Sequence, residues 1–154
     1  MKPFVYLSHD GLIDHIGQSQ ILPYLKKYSK MTKVHLITFE KKFNLKHAYK
    51  LKNSLANYQI NWVILKYNKS IFLKFIDFLK MTFLTIYLIK KFHLNIIHCR
   101  SYFPTISVFF LSFIFKFKYI FDIRDFWADE GIEIKNFKFI YKIIKYLEGK
   151  LIKK

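Results

Sequence analysis

The sequence predicts an α/β domain built on a parallel, doubly wound sheet of about five strands. Three observations lead there. Short apolar, β-branched runs alternate with helical patterns along all 154 residues. Consecutive runs are separated by enough chain for a crossover helix, which parallel neighbours require. The first run, FVYLS, ends in a loop holding Gly11 and Gly17 that opens a helix, the usual start of such a sheet.

Taken in order, strand 1 covers residues 3–7. The pattern Ile21, Leu22, Leu25 and Tyr28 then forms one helical face, with Lys26, Lys27 and Lys30 off it. Pro23 is tolerated only in a first helical turn, which puts the helix start near Ser19. Strand 2 is KVHLITF at 33–39, followed by a lysine-rich helix over 43–56 and strand 3 at 60–65. A long apolar helix is expected over 70–92, then strand 4, NIIHC, at 95–99. Pro104 opens a second apolar helix to about 115, strand 5 covers 119–123, and a basic helix runs from about 136 to the end. With strand order 3-2-1-4-5, strands 1 and 4 meet where the winding reverses, and ligands of such sheets bind beyond the carboxyl ends there.

Composition limits the function classes. An apolar fraction of 53% and an aromatic fraction of 20% exclude a disordered chain, and 154 residues suit one domain. The sole cysteine, Cys99, leaves no internal disulfide and no cysteine zinc cluster, and fits a reducing, cytoplasmic compartment. The apolar run at the N-terminus is too short for an export signal. Residues 71–92 and 102–121 are the stretches to test as membrane spans; Lys74, Asp77 and Lys80 interrupt the first, and Lys116 the second.

The net charge of +17 attracts polyanions, either nucleic acid or anionic lipid headgroups. Of 27 basic residues only Arg100 and Arg124 are arginine, which speaks against sequence-specific nucleic-acid reading. A peripheral position at the inner face of a membrane fits the lysine-rich surface better. Phe109, Phe110, Phe113 and Phe115 form either a cover for the sheet's core or a surface for another domain, a partner or a bilayer.

Three loops gather the unusual residues: 9–20, 98–102 and 122–133. Both arginines and three of the four glycines fall there. The first loop lacks G-x-G-x-x-G and G-K-[ST], so neither a dinucleotide fingerprint nor a Walker loop is present. Gly17 admits close approach of a ligand to the backbone, with Gln18 and Ser19 as polar contacts; alternatively Gly17 only turns the chain and Ser19 caps the helix. His98 reads as a core residue or a site residue. Arg100, just past the strand, suits a phosphate or carboxylate. In FDIRDFWADEG, Arg124, Asp125, Trp127 and Glu130 are candidate binding residues, although Arg124 with Asp122 or Asp125 also fits an internal ion pair. Asp129 and Glu130 are candidate paired acids. His9, Asp14, His15 and Asp129 lack ligand spacing on one helix face, so no metal is expected.

YLSHDGLIDHIGQSQILPYLKKYSK, NIIHCRSYFPTI and YIFDIRDFWADEG, followed by a helix ending YLEGKL, stand in an order that resembles the N-terminal domain of family-four, GT-B-type glycosyltransferases. The resemblance spans essentially the whole chain. It implies a Rossmann-like domain, one half of a GT-B fold, over 1–154. This half holds mainly the acceptor, and the C-terminal half, absent here, binds most of the nucleotide-sugar donor. It further implies glycosyl transfer with retention and no cofactor or metal, with the donor as substrate and a surface-polysaccharide or lipid-linked glycan as acceptor. The partner implied is a C-terminal donor-binding domain or subunit, and the chain alone is expected to be inactive. Gly17 matches the glycine near the donor phosphate, where many members have Gly-Gly and this chain has Gly17-Gln18. His98 matches the strand-4 histidine. Arg100 stands where many members have a second histidine, so no catalytic base is assigned, with His98 and Arg100 the candidates. Arg124, Asp125 and Trp127 match D-x-R-D-x-W at the cleft edge. Other classes with the same signals are a non-catalytic subunit of a split transferase, a truncated remnant and, with least support, a basic nucleic-acid-binding protein.

Overall fold

The computed structural model describes residues 2–124 and 138–152, without the side chains of 43, 71, 138–141 and 144. Five strands, β1 (Phe4–Ser8), β2 (Val34–Glu40), β3 (Ile60–Lys66), β4 (Ile96–Arg100) and β5 (Lys118–Asp122), form one sheet in the order β3-β2-β1-β4-β5, and every pairing is parallel. The helices are α1 (Leu22–Ser29), α2 (Leu45–Ser54), α3 (Ile71–Phe92), α4 (Tyr102–Leu111) and α5 (Lys138–Ile152). This is the doubly wound architecture that the alternation predicts.

The central strands are buried on both faces, which is why β1 and β2 read as unbroken apolar runs rather than alternating ones. Successive side chains of β1 feed two cores. Phe4 and Tyr6 join Leu12, Leu25, Leu36 and Trp62 under α1 and α2; Val5 and Leu7 join Ile37, Phe39, Met81, Ile97 and Val108 under α3 and α4.

The first helix departs from expectation. Helical backbone begins at His15, and the chain passes through a π-turn over Gly17–Ile21 before α1 proper, with the Leu22 N–H reaching back five residues to the Gly17 carbonyl. Pro23 explains the widening: it has no N–H to donate, and its ring needs room against the Ser19 carbonyl in the turn before it. Ser19 therefore lies inside the helix, its hydroxyl donating to the His15 carbonyl at 2.8 Å, and is not an N-cap. Helix α4 likewise begins at Tyr102, two residues before Pro104, and ends at Leu111, beyond which single turns carry the chain to Phe115. Of the phenylalanine cluster, Phe109 is core, whereas Phe110 and Phe113 are exposed.

Register fixes what meets at the carboxyl edge. Tyr6 pairs with His98 and His98 with Ile120; one row further, Ser8 pairs with Arg100 and Arg100 with Asp122. One face of the sheet thus presents His98, Arg100 and Asp122 side by side, next to the loop that leaves β1.

Candidate functional site

Arg100 ends β4 with its side chain only 3% exposed. Its donors fan out to three elements. Nε donates to Asp10 Oδ2 at 3.4 Å in the β1–α1 loop, and Nη2 donates to Gln20 Oε1 at 2.8 Å in the π-turn. Nη1 lies 3.6 Å from Asp122 Oδ2 on β5 and has no hydrogen-bond partner among the described residues. A buried guanidinium is tolerated only beside opposite charge, which Asp10 and Asp122 supply.

Asp122 is shared. Arg124 Nη2 sits 2.7 Å from its Oδ2, and His98 Nε2 lies 3.8 Å from the same oxygen. The His98 Nδ1 is 3.0 Å from the Tyr24 hydroxyl, and the ring packs on Tyr6 at 4.5 Å between centroids. Burial holds the His98 imidazole below its ordinary range; Asp122 opposes that shift, and Arg124 and Arg100 reinforce it. His98 is thus a neutral ring with an orphaned Nε2 turned towards the carboxylate. Burial raises the Tyr6 phenol above its ordinary range, and the Arg100 guanidinium opposes that shift.

Ser101 follows with φ 70 and ψ 176, a backbone region that is almost reserved for glycine. This geometry turns the chain sharply out of β4, and the Ser101 N–H donates to the Asp122 carbonyl at 3.0 Å. Helix α4 begins at the next residue without a side-chain cap, so the positive end of its dipole lies beside Arg100. Asp10, Ile16, Gln20, Arg100, Ser101 and Arg124 line a pocket of about 320 Å³ at this point.

The loop that forms the opposite wall is held from beneath. Glu40, at the end of β2 and fully buried, accepts the N–H of Leu12 at 2.5 Å and of Ile13 at 3.4 Å, and the Thr38 hydroxyl at 2.9 Å. Trp62 Nε1 donates to Thr38 at 2.9 Å in turn. Gly17 is buried against this loop, where a Cβ would overlap the Gly11 and Leu12 carbonyls. Gln18 Nε2 donates to the Leu12 carbonyl at 2.7 Å.

His98, Arg100 and Arg124, read from the sequence as site residues, are therefore brought together by β4 and β5. Gly17, Gln18 and Ser19 belong to the neighbouring helix start, and the backbone that Gly17 approaches is that of Gly11 and Leu12. Asp125, Trp127 and Glu130 lie outside the described residues. Of the two ion pairs open to Arg124, the one with Asp122 is formed. Asp10, Gln20, Tyr6 and Tyr24 were not singled out from sequence. Asp10 and Gln20 share the glycine loop with Gly17, and that proximity was the one available signal.

No protein-family model and no curated protein matches the chain. Among solved structures it is similar to the crystal structure of a glycosyltransferase from Rickettsia africae ESF-5, with 16% identity and a TM-score of 0.53 over 86% of this chain. The chain spans 34% of the length of that structure. At this identity the likeness is one of fold, and it agrees with a Rossmann-like sheet.

Proposed function

We propose that the chain is the acceptor-side, N-terminal half of a retaining, family-four GT-B glycosyltransferase. It would act on a surface-polysaccharide or lipid-linked glycan, and a second domain or subunit would complete the site for a nucleotide-sugar. The similar fold of a solved glycosyltransferase, of which the match covers 34%, supports the class and the need for a second half. The observation that carries the reading at the site is Arg100, a buried guanidinium with Nη1 unsatisfied among the described residues, at the head of α4 and beside the half-exposed Arg124.

Such a corner suits the diphosphate of a donor. When the bond from the anomeric carbon to the diphosphate breaks and a bond to the acceptor oxygen forms, negative charge grows on the departing phosphate. Guanidinium N–H groups and the positive end of a helix dipole stabilise that charge without rearrangement. Arg124, half-exposed and paired with Asp122, would exchange that carboxylate for phosphate. His98, neutral and with Nε2 facing the pocket's carboxylate, orients Asp122 and the reacting sugar. Gly17 keeps the helix start close to the loop, and Asp125, Trp127 and Glu130 would add substrate contacts, as the family resemblance implies. No residue is assigned as catalytic base.

Isothermal titration with UDP-glucose, GDP-mannose and UDP, of the chain alone and with its donor-binding half, tests this. Nucleotide binding and turnover are expected only when both halves are present, with Arg124→Ala weakening nucleotide affinity about tenfold for a lost charge-assisted contact. Failure of any nucleotide to bind the complete assembly, or Arg124→Ala binding as tightly as the wild type, would overturn the reading.

A further inference from the structure

Helix α3 is apolar on two opposite sides. Its inner face, Met81, Thr85 and Leu88, packs into the core with Asp77 buried beside them. At 100° per residue, Phe72, Phe75, Leu79, Phe83 and Tyr87 fall within an arc of about 120° on the other side. They face solvent: Phe72 is 73% exposed, Phe75 60% and Phe83 66%. A surface helix ordinarily turns polar residues outward, so a second apolar stripe of this length calls for a cover. Helix α4, hydrogen-bonded to α3 through Thr82 and Ser107 at 2.7 Å, adds exposed Phe110, and the turns that follow it add exposed Phe113 and Ile114.

Charge identifies the cover. The charged residues of α3 that reach solvent are Lys74, Lys80, Lys90 and Lys91; its one acid, Asp77, is 1% exposed. Protein interfaces are depleted in lysine, whereas helices lying in a lipid headgroup layer combine aromatic rings on one side with flanking lysines. Lysine stems lie along apolar surface while the ammonium reaches phosphate, and three of these already lean on aromatic rings: Lys91 Nζ lies 5.1 Å from the Tyr87 ring, Lys90 Nζ 5.9 Å from that of Phe115 and Lys74 Nζ 6.0 Å from that of Tyr67. Among the described residues no helix is long and apolar enough to cross a membrane, so α3 would lie in the plane of the surface.

We infer that the outer face of α3 docks the protein onto an anionic bilayer, with the phenylalanines inserted at headgroup depth and Lys80, Lys90 and Lys91 paired with lipid phosphates. This inference rests on α3 and the residues beside it, and stands whether or not the chain takes part in glycosyl transfer.

Co-sedimentation of the purified chain with phosphatidylcholine vesicles, with and without about 30 mol % phosphatidylglycerol, tests it. Binding is expected to the anionic vesicles, at least about tenfold tighter than to the neutral ones and weakened by salt. A Phe72→Ser/Phe75→Ser/Phe83→Ser variant, which changes exposed side chains only, should keep its circular dichroism and lose at least about tenfold in vesicle affinity. Lys80→Glu should lower affinity for the anionic vesicles alone. A wild-type chain left in the supernatant at low salt would overturn the inference. So would a triple serine variant that binds as well as the wild type, since adhesion would then come from diffuse charge. Concentration-dependent dimers that this variant disperses, without vesicle binding, would instead make the face a contact between two copies.

Discussion

The Glu40 carboxylate and the Leu12 N–H meet at 2.5 Å across 28 residues of sequence, joining the end of β2 to the loop that leaves β1. Glu40 takes three donors at once and lies against Gly11, where a Cβ would overlap its Oε2. The wall of the pocket that carries Asp10 and Ile16 is therefore held from beneath by one buried acid, with Gln18 on the Leu12 carbonyl and Asn44 and Lys41 on Asp14 adding to it.

Glu40→Gln should destabilise the protein by about 2 kcal/mol, because an amide NH2 would replace an oxygen that faces only donors. A urea midpoint that falls accordingly, with an unchanged slope, is the expected outcome. A midpoint within error of the wild type would mean that the loop is held by other contacts.

Two glycines should respond in opposite directions to alanine. Gly17 has no positive φ, so its need for hydrogen is steric: a methyl group meets the Gly11 and Leu12 backbone, which cannot step aside as a side chain can. Gly17→Ala should cost more than about 2 kcal/mol. Gly149 lies within α5 with open space around its Cα, and Gly149→Ala should stabilise by about 0.5–1 kcal/mol. Thermal midpoints of the two variants measured side by side decide both.

Much of the fold was legible because its signals are local. Alternating apolar runs and helical faces place the five strands, and with the rule that crossovers are right-handed they leave few sheet orders to consider. Arg100 and Arg124 stood out because the chain has no other arginine. What stayed hidden is what sequence distance hides. Arg100 reaches Asp10 and Gln20 across 90 and 80 residues, and only the register of β1 with β4 brings them together. Glu40 reads in the chain as a polar residue ending a strand, and nothing nearby marks its three backbone and hydroxyl donors. The π-turn stays hidden because Pro23 suits a first helical turn equally well, and nothing in the sequence marks the helical backbone that already starts at His15.

Acid should unfold the protein through three histidines. Burial lowers the pKa of His9, His35 and His98, that of His35 to about 4. His35 stacks on Phe92 at 4.2 Å, with Lys33 adding to the shift; His9 sits among Phe39, Tyr67 and Phe103, with Asp10 and Asp77 opposing Lys74. A group with a depressed native pKa contributes stability that is present above its unfolded value, 6.5 here, and is lost as pH falls through its native value. Stability should thus decline from pH 6.5 downwards, with His35 alone accounting for about 3 kcal/mol by pH 4. Glu40 works the other way: burial raises its pKa above 4.5, so its protonation in the same acid range favours the native state and cannot cause the decline. Denaturant titrations from pH 7 to 4 on wild type and His35→Phe measure this, and a slope unaltered by His35→Phe would show that the ring does not titrate on unfolding.

Ser101 offers a separate handle on the pocket. A serine at φ 70 and ψ 176 carries backbone strain of about 1 kcal/mol or more, held by the Ser101 N–H on the Asp122 carbonyl and the Thr105 hydroxyl on the Ser101 carbonyl. Glycine adopts the same angles without that cost, so Ser101→Gly should raise stability by about 1 kcal/mol, net of the entropy glycine loses on folding. Ser101→Val should lower it by more than that, because a β-branched side chain is excluded from this region. Both substitutions leave Arg100, Arg124 and Asp122 in place. If the start of α4 and the arginines form an anion corner, Ser101→Gly should retain nucleotide affinity in the complete assembly. Ser101→Val, which forces the turn out of β4 to open, should reduce it at least about tenfold. Equal affinity in the two variants, with the stability difference as expected, would show that the turn serves the fold alone and would separate the strain at Ser101 from any ligand at the head of α4.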